Sequence, residues 1–104
     1  MYQVKSIAEF DKYVKENEKV LVDVYATWCG PCKMLAPVLE EASSQRRSIT
    51  FLKVDCDTVS EVSERYDILA VPTVLFFKDG KLIGDCTGYR PLEDILQEID
   101  RAFK

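Results

Sequence analysis

Apolar residues recur along this chain in two rhythms, and the rhythms divide it into elements. From Val20 to Ala26 the chain is apolar at both parities except for Asp23. Such a run predicts a central strand covered on both faces. Ile49 to Val54 predicts a second central strand, and Val4–Lys5 a short first one. Thr73–Lys78 and Lys81–Thr87 flank Asp79-Gly80, a two-residue turn signal, so they predict an antiparallel hairpin. Between the strands the period changes. Ile7, Phe10 and Val14 mark a helix to about Asn17, opened by the capping box Ser6-Ile7-Ala8-Glu9. Leu35, Val38, Leu39 and Ala42 mark a helix from Pro31 or Cys32 to about Gln45, in which Pro37 removes one backbone bond and predicts a kink. Thr58-Val59-Ser60-Glu61 reads as a second capping box, ahead of a short helix with Val59, Val62 and Tyr66 on one face. Leu92, Ile95, Leu96, Ile99 and Phe103 mark the last helix, with Pro91 in its first turn. The order βαβαβ followed by ββα predicts an α/β fold, a central mixed β-sheet flanked by helices on both faces.

Composition narrows the function classes. The 104 residues suit one domain, 1–104, with no linker, repeat or low-complexity segment. The net charge of −4 comes with no basic stripe, which argues against a nucleic-acid partner. The N-terminus has no apolar signal region and no run is long enough to cross a membrane, so a reducing, cytoplasmic compartment and no membrane partner are expected. There is no histidine at all, which excludes Cys-His proteolysis, His-metal sites and the usual proton shuttle. Proton transfer is left to carboxylates, thiols, lysines or water.

The chemistry concentrates in Trp28-Cys29-Gly30-Pro31-Cys32. Two cysteines three apart can close as a disulfide or open to a dithiol. The motif follows the Val20–Ala26 strand and precedes a helix, so Cys29 arrives at a helix N-terminus. Unpaired N–H groups and the helix dipole there favour a thiolate. Cys29 is thus expected to be the nucleophile and Cys32 its resolving partner. The alternative, a metal knuckle, lacks its second CxxC, so no metal is expected. Asp23 is the anomaly of the central strand. Desolvation should raise its pKa, making it an acid able to exchange protons with Cys32 near neutrality; a purely structural pairing with Lys53 is the competing reading.

These residues resemble the thioredoxins over essentially the whole length. Trp28-Cys29-Gly30-Pro31-Cys32-Lys33, Asp23, Lys53 within Phe51-Leu52-Lys53-Val54-Asp55, Val71-Pro72-Thr73, Gly80 and Gly88 fall in the family's order. The resemblance implies the thioredoxin fold and a general protein-disulfide reductase that maintains cell redox homeostasis. It implies catalytic roles for Cys29, Cys32, Asp23 and Lys53, with Lys53 approaching Asp23. It implies a cis peptide at Val71-Pro72, and a flat docking surface of Trp28, Gly30, Pro31, Ala70, Val71, Pro72, Gly88 and Tyr89, Trp28 acting as a lid beside the reactive sulfur. No bound cofactor is implied beyond the redox-active cysteines. NADPH and FAD would belong to a thioredoxin reductase that recycles the protein, and disulfide-containing substrates such as peroxiredoxins would be the other partners of a monomer. A family-like thiol pKa of about 7 ionises Cys29 roughly fifteen-fold more than an unperturbed thiol at pH 7, but lost nucleophilicity returns about five- to six-fold. The remaining rate must come from positioning.

Three residues depart from the family's commonest pattern. Tyr25 stands where many relatives carry tryptophan. Cys56 and Cys86 fall where apolar strand residues are usual, and both are expected to be inert packing rather than regulatory thiols. Two other classes compete with the reductase. A binding subunit that borrows the apolar surface would more readily have lost a cysteine or Asp23. An oxidant or isomerase would carry another dipeptide between the cysteines.

Overall fold

The computed structural model describes residues 1–104. Five strands form one sheet: β1 (Tyr2–Gln3), β2 (Lys19–Tyr25), β3 (Thr50–Asp55), β4 (Thr73–Lys78) and β5 (Lys81–Thr87). Their order is β1-β3-β2-β4-β5. β1, β3 and β2 run parallel, and β4 and β5 are antiparallel to their neighbours. The helices are α1 (Ile7–Glu16), α2 (Gly30–Gln45), α3 (Ser60–Arg65) and α4 (Leu92–Ala102).

The pleat of β2 explains why its sequence lacks polar alternation. Val20, Val22 and Val24 point to one face, where Phe10 and Val14 of α1 and Val62 of α3 complete a core with Leu52, Val54, Leu75 and Phe77. Leu21 points to the other, where Leu35, Leu39 and Ala42 of α2 pack with Ile95 and Ile99 of α4 on Phe51, Val74 and Phe76. A strand buried on both sides cannot spend every second position on a polar residue. Phe10, Tyr66 and Phe77 meet as tilted and edge-on aromatic pairs, with centroids 5.3–6.1 Å apart.

The hairpin turns where expected. Asp79 and Gly80 both take positive φ, 51° and 81°, as a two-residue turn with the twist of its strands requires. Several boundaries differ from the sequence reading. β1 occupies Tyr2–Gln3 rather than Val4–Lys5. Val4 only donates its N–H to the Lys53 carbonyl (2.9 Å) before its side chain drops into the core, and the Lys5 N–H turns to the Glu9 carboxylate (2.7 Å). Ser6 caps α1 through the Glu9 N–H (3.1 Å), so Glu9 closes the box on Lys5 rather than on Ser6 itself. The second capping box does not form. Val59 is the N-cap of α3 and makes no side-chain cap bond, while the Thr58 hydroxyl donates to the Asp55 carbonyl (3.3 Å). Burial of Val59 in the α1–α3 core fixes that turn, leaving Thr58 outside it. Pro91 is likewise the N-cap of α4, extended at ψ 166°, not a residue of its first turn.

Candidate active site

The C-terminal end of β2 delivers the chain directly into α2. Gly30, Pro31 and Cys32 form the first helical turn, and Cys29 is its N-cap. The helix thus begins one or two residues earlier than the periodicity predicts. Pro31 is tolerated there because its missing N–H would have no partner in a first turn. The Cys32 N–H points at the Cys29 Sγ, 3.2 Å away. Cys29 and Cys32 are joined as a disulfide, their Cα atoms 5.3 Å apart, and the Cys56 and Cys86 thiols are free. Opening the bond leaves the Cys29 sulfur facing an aimed N–H and the positive end of a 16-residue helix, both of which stabilise a thiolate. Both cysteines are buried, Cys29 6% and Cys32 3% exposed.

Above them lies the loop before β4. Val71-Pro72 is cis, and the Val71 carbonyl oxygen lies 3.7 Å from the Cys29 Sγ. The Pro72 carbonyl accepts from the Gly88 N–H (2.8 Å), and Gly88 takes φ 96° to present it. The Thr73 hydroxyl donates to the Ala70 carbonyl (2.6 Å). Two strand ends therefore clamp the loop against the sulfurs.

Below lies Asp23. It is 2% exposed, and its Oδ1 has no hydrogen-bond partner. Burial pushes its carboxyl up to about 7, with the charge of Lys53 opposing the rise. Lys53 is its register partner on β3, and Val74 on β4. Asp23, Lys53 and Cys32 line one cavity of about 300 Å³ with Tyr25, Ala26, Thr27, Lys33 and Ala36. No direct Asp23–Lys53 ion pair forms, so the acid is held near Lys53 without being neutralised by it.

The cysteine pair, its helix and the buried acid make a thiol–disulfide exchange site, and comparison with known proteins identifies its kind. The thioredoxin family model matches residues 2–101. The chain belongs to the thioredoxin family. It is 43% identical to the thioredoxin of Mycoplasmoides gallisepticum over 95 residues, covering 91% of this chain and 95% of that one. It is 43% identical to thioredoxin-1 of Saccharomyces cerevisiae over 89 residues, 86% of each. Plasmodium falciparum thioredoxin superposes with a TM-score of 0.92 at 40% identity, covering 97% of this chain and 98% of that one. A further similar structure, 34% identical with a TM-score of 0.85 over 94% of both chains, concerns the thiol-resolving mechanism of a yeast mitochondrial 1-Cys peroxiredoxin through glutathione and thioredoxin systems. As a thioredoxin, the chain is a thiol–disulfide oxidoreductase with the thioredoxin fold, and its redox-active group is the cysteine pair.

The structure also shows what sequence reasoning missed. The Trp28 indole is 70% exposed and is held by its Nε1, which donates to Asp57 Oδ2 (3.0 Å). Asp57 has no apolar rhythm around it to mark it, and only the return of the chain after β3 brings it 29 residues back to Trp28. Cys56 is not a strand residue. It lies just past β3, half-buried, its N–H donating to the Tyr25 carbonyl (2.9 Å). Asp55, Cys56 and Asp57 bring three ligand atoms within 4.8 Å of one another. Burial, then the two carboxylates, push the Cys56 thiol up. Cys86 is buried on β5 among α4 residues; burial pushes its thiol up too, with Arg90 opposing. No helix is long and apolar enough to cross a membrane.

Proposed function

We propose that the single domain formed by residues 1–104 reduces protein disulfides in a reducing, cytoplasmic compartment, with Cys29 attacking and Cys32 resolving. The Cys29 thiolate attacks one sulfur of the substrate disulfide. A mixed disulfide forms and the other substrate sulfur leaves as a thiolate. The Cys32 thiol gives its proton to the Asp23 carboxylate, and the Cys32 thiolate attacks the Cys29 sulfur. The second substrate sulfur leaves, and the Cys29–Cys32 disulfide closes. Two electrons have passed from the dithiol to the substrate, and the departing thiolates take up the protons.

The observation that carries this reading is the N–H of Cys32 at 3.2 Å from the Cys29 sulfur, at the start of α2. It distinguishes the two cysteines, since Cys32 has the helix below it and no comparable cap. Asp23 suits the base role because a carboxyl titrating at about 7 is half ionised at neutral pH. Lys53 keeps that value from rising further. Val71 presents its carbonyl oxygen 3.7 Å from the Cys29 sulfur, and it would receive the substrate segment together with Trp28, Gly30, Pro31, Pro72 and Gly88. A thioredoxin reductase, supplying electrons from NADPH through FAD, would reopen the disulfide. Peroxiredoxins are candidate substrates, supported by the similar structure from the yeast peroxiredoxin work.

Trapping tests the assignment. Cys32→Ser should accumulate mixed disulfides with cell proteins on non-reducing gels, and Cys29→Ser should accumulate none. Equal trapping by the two variants would remove the division of roles.

A further inference from the structure

Polar side chains from three strands share one face of the sheet, under the first turns of α2. Asp23 is the register partner of Lys53, Tyr25 of Asp55 and Gln3 of Lys53, and register partners point to the same side. Tyr25 takes no part in the exchange chemistry, yet it is fixed twice. Its hydroxyl donates to Gln3 Oε1 (2.8 Å), and Gln3 Nε2 in turn reaches the Lys53 carbonyl (3.5 Å). Its side chain also packs on the cluster of Ala26, Cys29 and Cys32.

Tyr25 lines two hollows. One is the cavity of about 300 Å³ that holds Asp23, Lys53 and Cys32. The other, of about 360 Å³, lies beside Gln3, Lys5, Asp55 and Thr58, of which Lys5 and Thr58 are exposed. No other residue lines both. Tyr25 is therefore the partition between the buried acid and an open polar hollow. The titratable groups around Asp23 are Lys53 and Asp55 on β3, Lys33 and Cys32 on α2, and Tyr25 itself; Val74 on β4 and Gln3 on β1 bring no charge.

We propose that Tyr25 is a positioning residue of the exchange reaction: its ring, pinned by Gln3, walls the Asp23 cavity off from the Asp55 hollow and keeps water from the acid that takes the Cys32 proton. The proposal rests on Asp23 as that base. With water kept out, the Cys32 proton has Asp23 as its acceptor, and Asp23 Oδ1 has no other partner. The Tyr25 hydroxyl does not compete for the proton. It donates to Gln3, and burial holds it above the usual tyrosine range, with Gln3 opposing and the charges of Asp55 and Asp23 adding to the rise. Water admitted past the ring would solvate the Asp23 carboxylate. Burial is the largest influence on that group, so its titration would move down.

The test follows two midpoints in the full chain. Tyr25→Ala and Tyr25→Thr remove the ring, threonine being suited to a strand should alanine fail to fold, and Tyr25→Phe keeps it. Infrared titration of the oxidised protein follows the C=O stretch of the buried acid. Asp23 is the one buried carboxyl, and Asp23→Asn supplies the blank. Stopped-flow decay of the mixed disulfide, measured against pH, follows the resolving step. The infrared midpoint, about 7 with Tyr25 present, should fall by about one pH unit in Tyr25→Ala and Tyr25→Thr. The decay midpoint should fall with it. In Tyr25→Phe both should stay within about 0.3 pH unit of their original positions. An infrared midpoint that does not move in a folded ring-less variant would overturn the proposal and leave Asp23 as the base. An infrared midpoint that falls while the decay midpoint stays would remove Asp23 as the base, and the proposal with it. A fall in Tyr25→Phe as large as in Tyr25→Thr would assign the effect to the hydroxyl and overturn the wall.

Discussion

Replacing Asp23 with asparagine should stabilise the protein above neutral pH and slow the release of substrate. Asp23 is 2% exposed, and burial lifts its carboxyl from 3.8 to about 7. In the unfolded chain it titrates near the ordinary value. Below pH 4 the group is protonated in both states and costs nothing. As pH rises from about 4 to about 7, the unfolded chain ionises while the folded protein stays protonated, so stability falls throughout that window. Above pH 7 the penalty is constant, at about 4 kcal/mol for a separation of about three units. Asparagine carries no such penalty, but its amide would also lie buried without a full set of partners, at a cost of about 1–2 kcal/mol. The expected change is therefore a gain of about 2–3 kcal/mol at pH 8 and a loss of about 1 kcal/mol at pH 4. Urea denaturation of the oxidised proteins at both pH values measures it. Stopped-flow decay of the mixed disulfide should in parallel be slower in Asp23→Asn, while attack by Cys29 is nearly unchanged. A variant less stable than wild type at pH 8, with unchanged decay, would refute the reasoning and make Asp23 a structural partner of Lys53.

The free cysteines and the hairpin turn make separate predictions. Cys86 is buried at 5% exposure and Cys56 is half-buried, so Cys86→Ala should lose about 1 kcal/mol and Cys56→Ala less, each retaining insulin reduction within a few-fold. Loss of activity in either variant, with an intact circular dichroism spectrum, would mean a second redox site. Gly80→Ala meets no neighbouring atom, but it places a side chain at φ 81°. Urea unfolding should show a loss of about 1 kcal/mol, and an unchanged midpoint would contradict the positive-φ argument.

The sequence exposed what local physics controls. The strand periods, the Asp79-Gly80 turn and the amphipathic helices rest on neighbours in the chain, and they stand where the pattern put them within a residue or two. The anomaly of Asp23 was visible because a carboxylate inside Val-Leu-Val-Asp-Val-Tyr breaks a pattern that burial imposes. The cysteine spacing was visible for the same reason. What escaped was decided by tertiary contact. Thr58 had the residues of a capping box, but burial of Val59 set the turn. Val4 had the look of a strand residue, yet its side chain went to the core. The tie between Trp28 and Asp57, and the groove shared by Trp28, Cys56 and Leu69, join residues far apart in sequence and leave no periodic trace. The cis bond at Val71-Pro72 is a minority form for any X-Pro pair, so only the family resemblance pointed to it.

The reduction potential tests the central claim most directly. Trp28 is the one tryptophan of the chain and adjoins Cys29, so its fluorescence reports opening of the disulfide. The protein would be equilibrated with glutathione buffers of graded ratio and read at Trp28. A protein-disulfide reductase must lie well below the roughly −180 mV of a disulfide isomerase, and the value characteristic of thioredoxins, about −270 mV, is the one expected. A midpoint at or above about −180 mV would contradict the account and make this chain an oxidant or an isomerase.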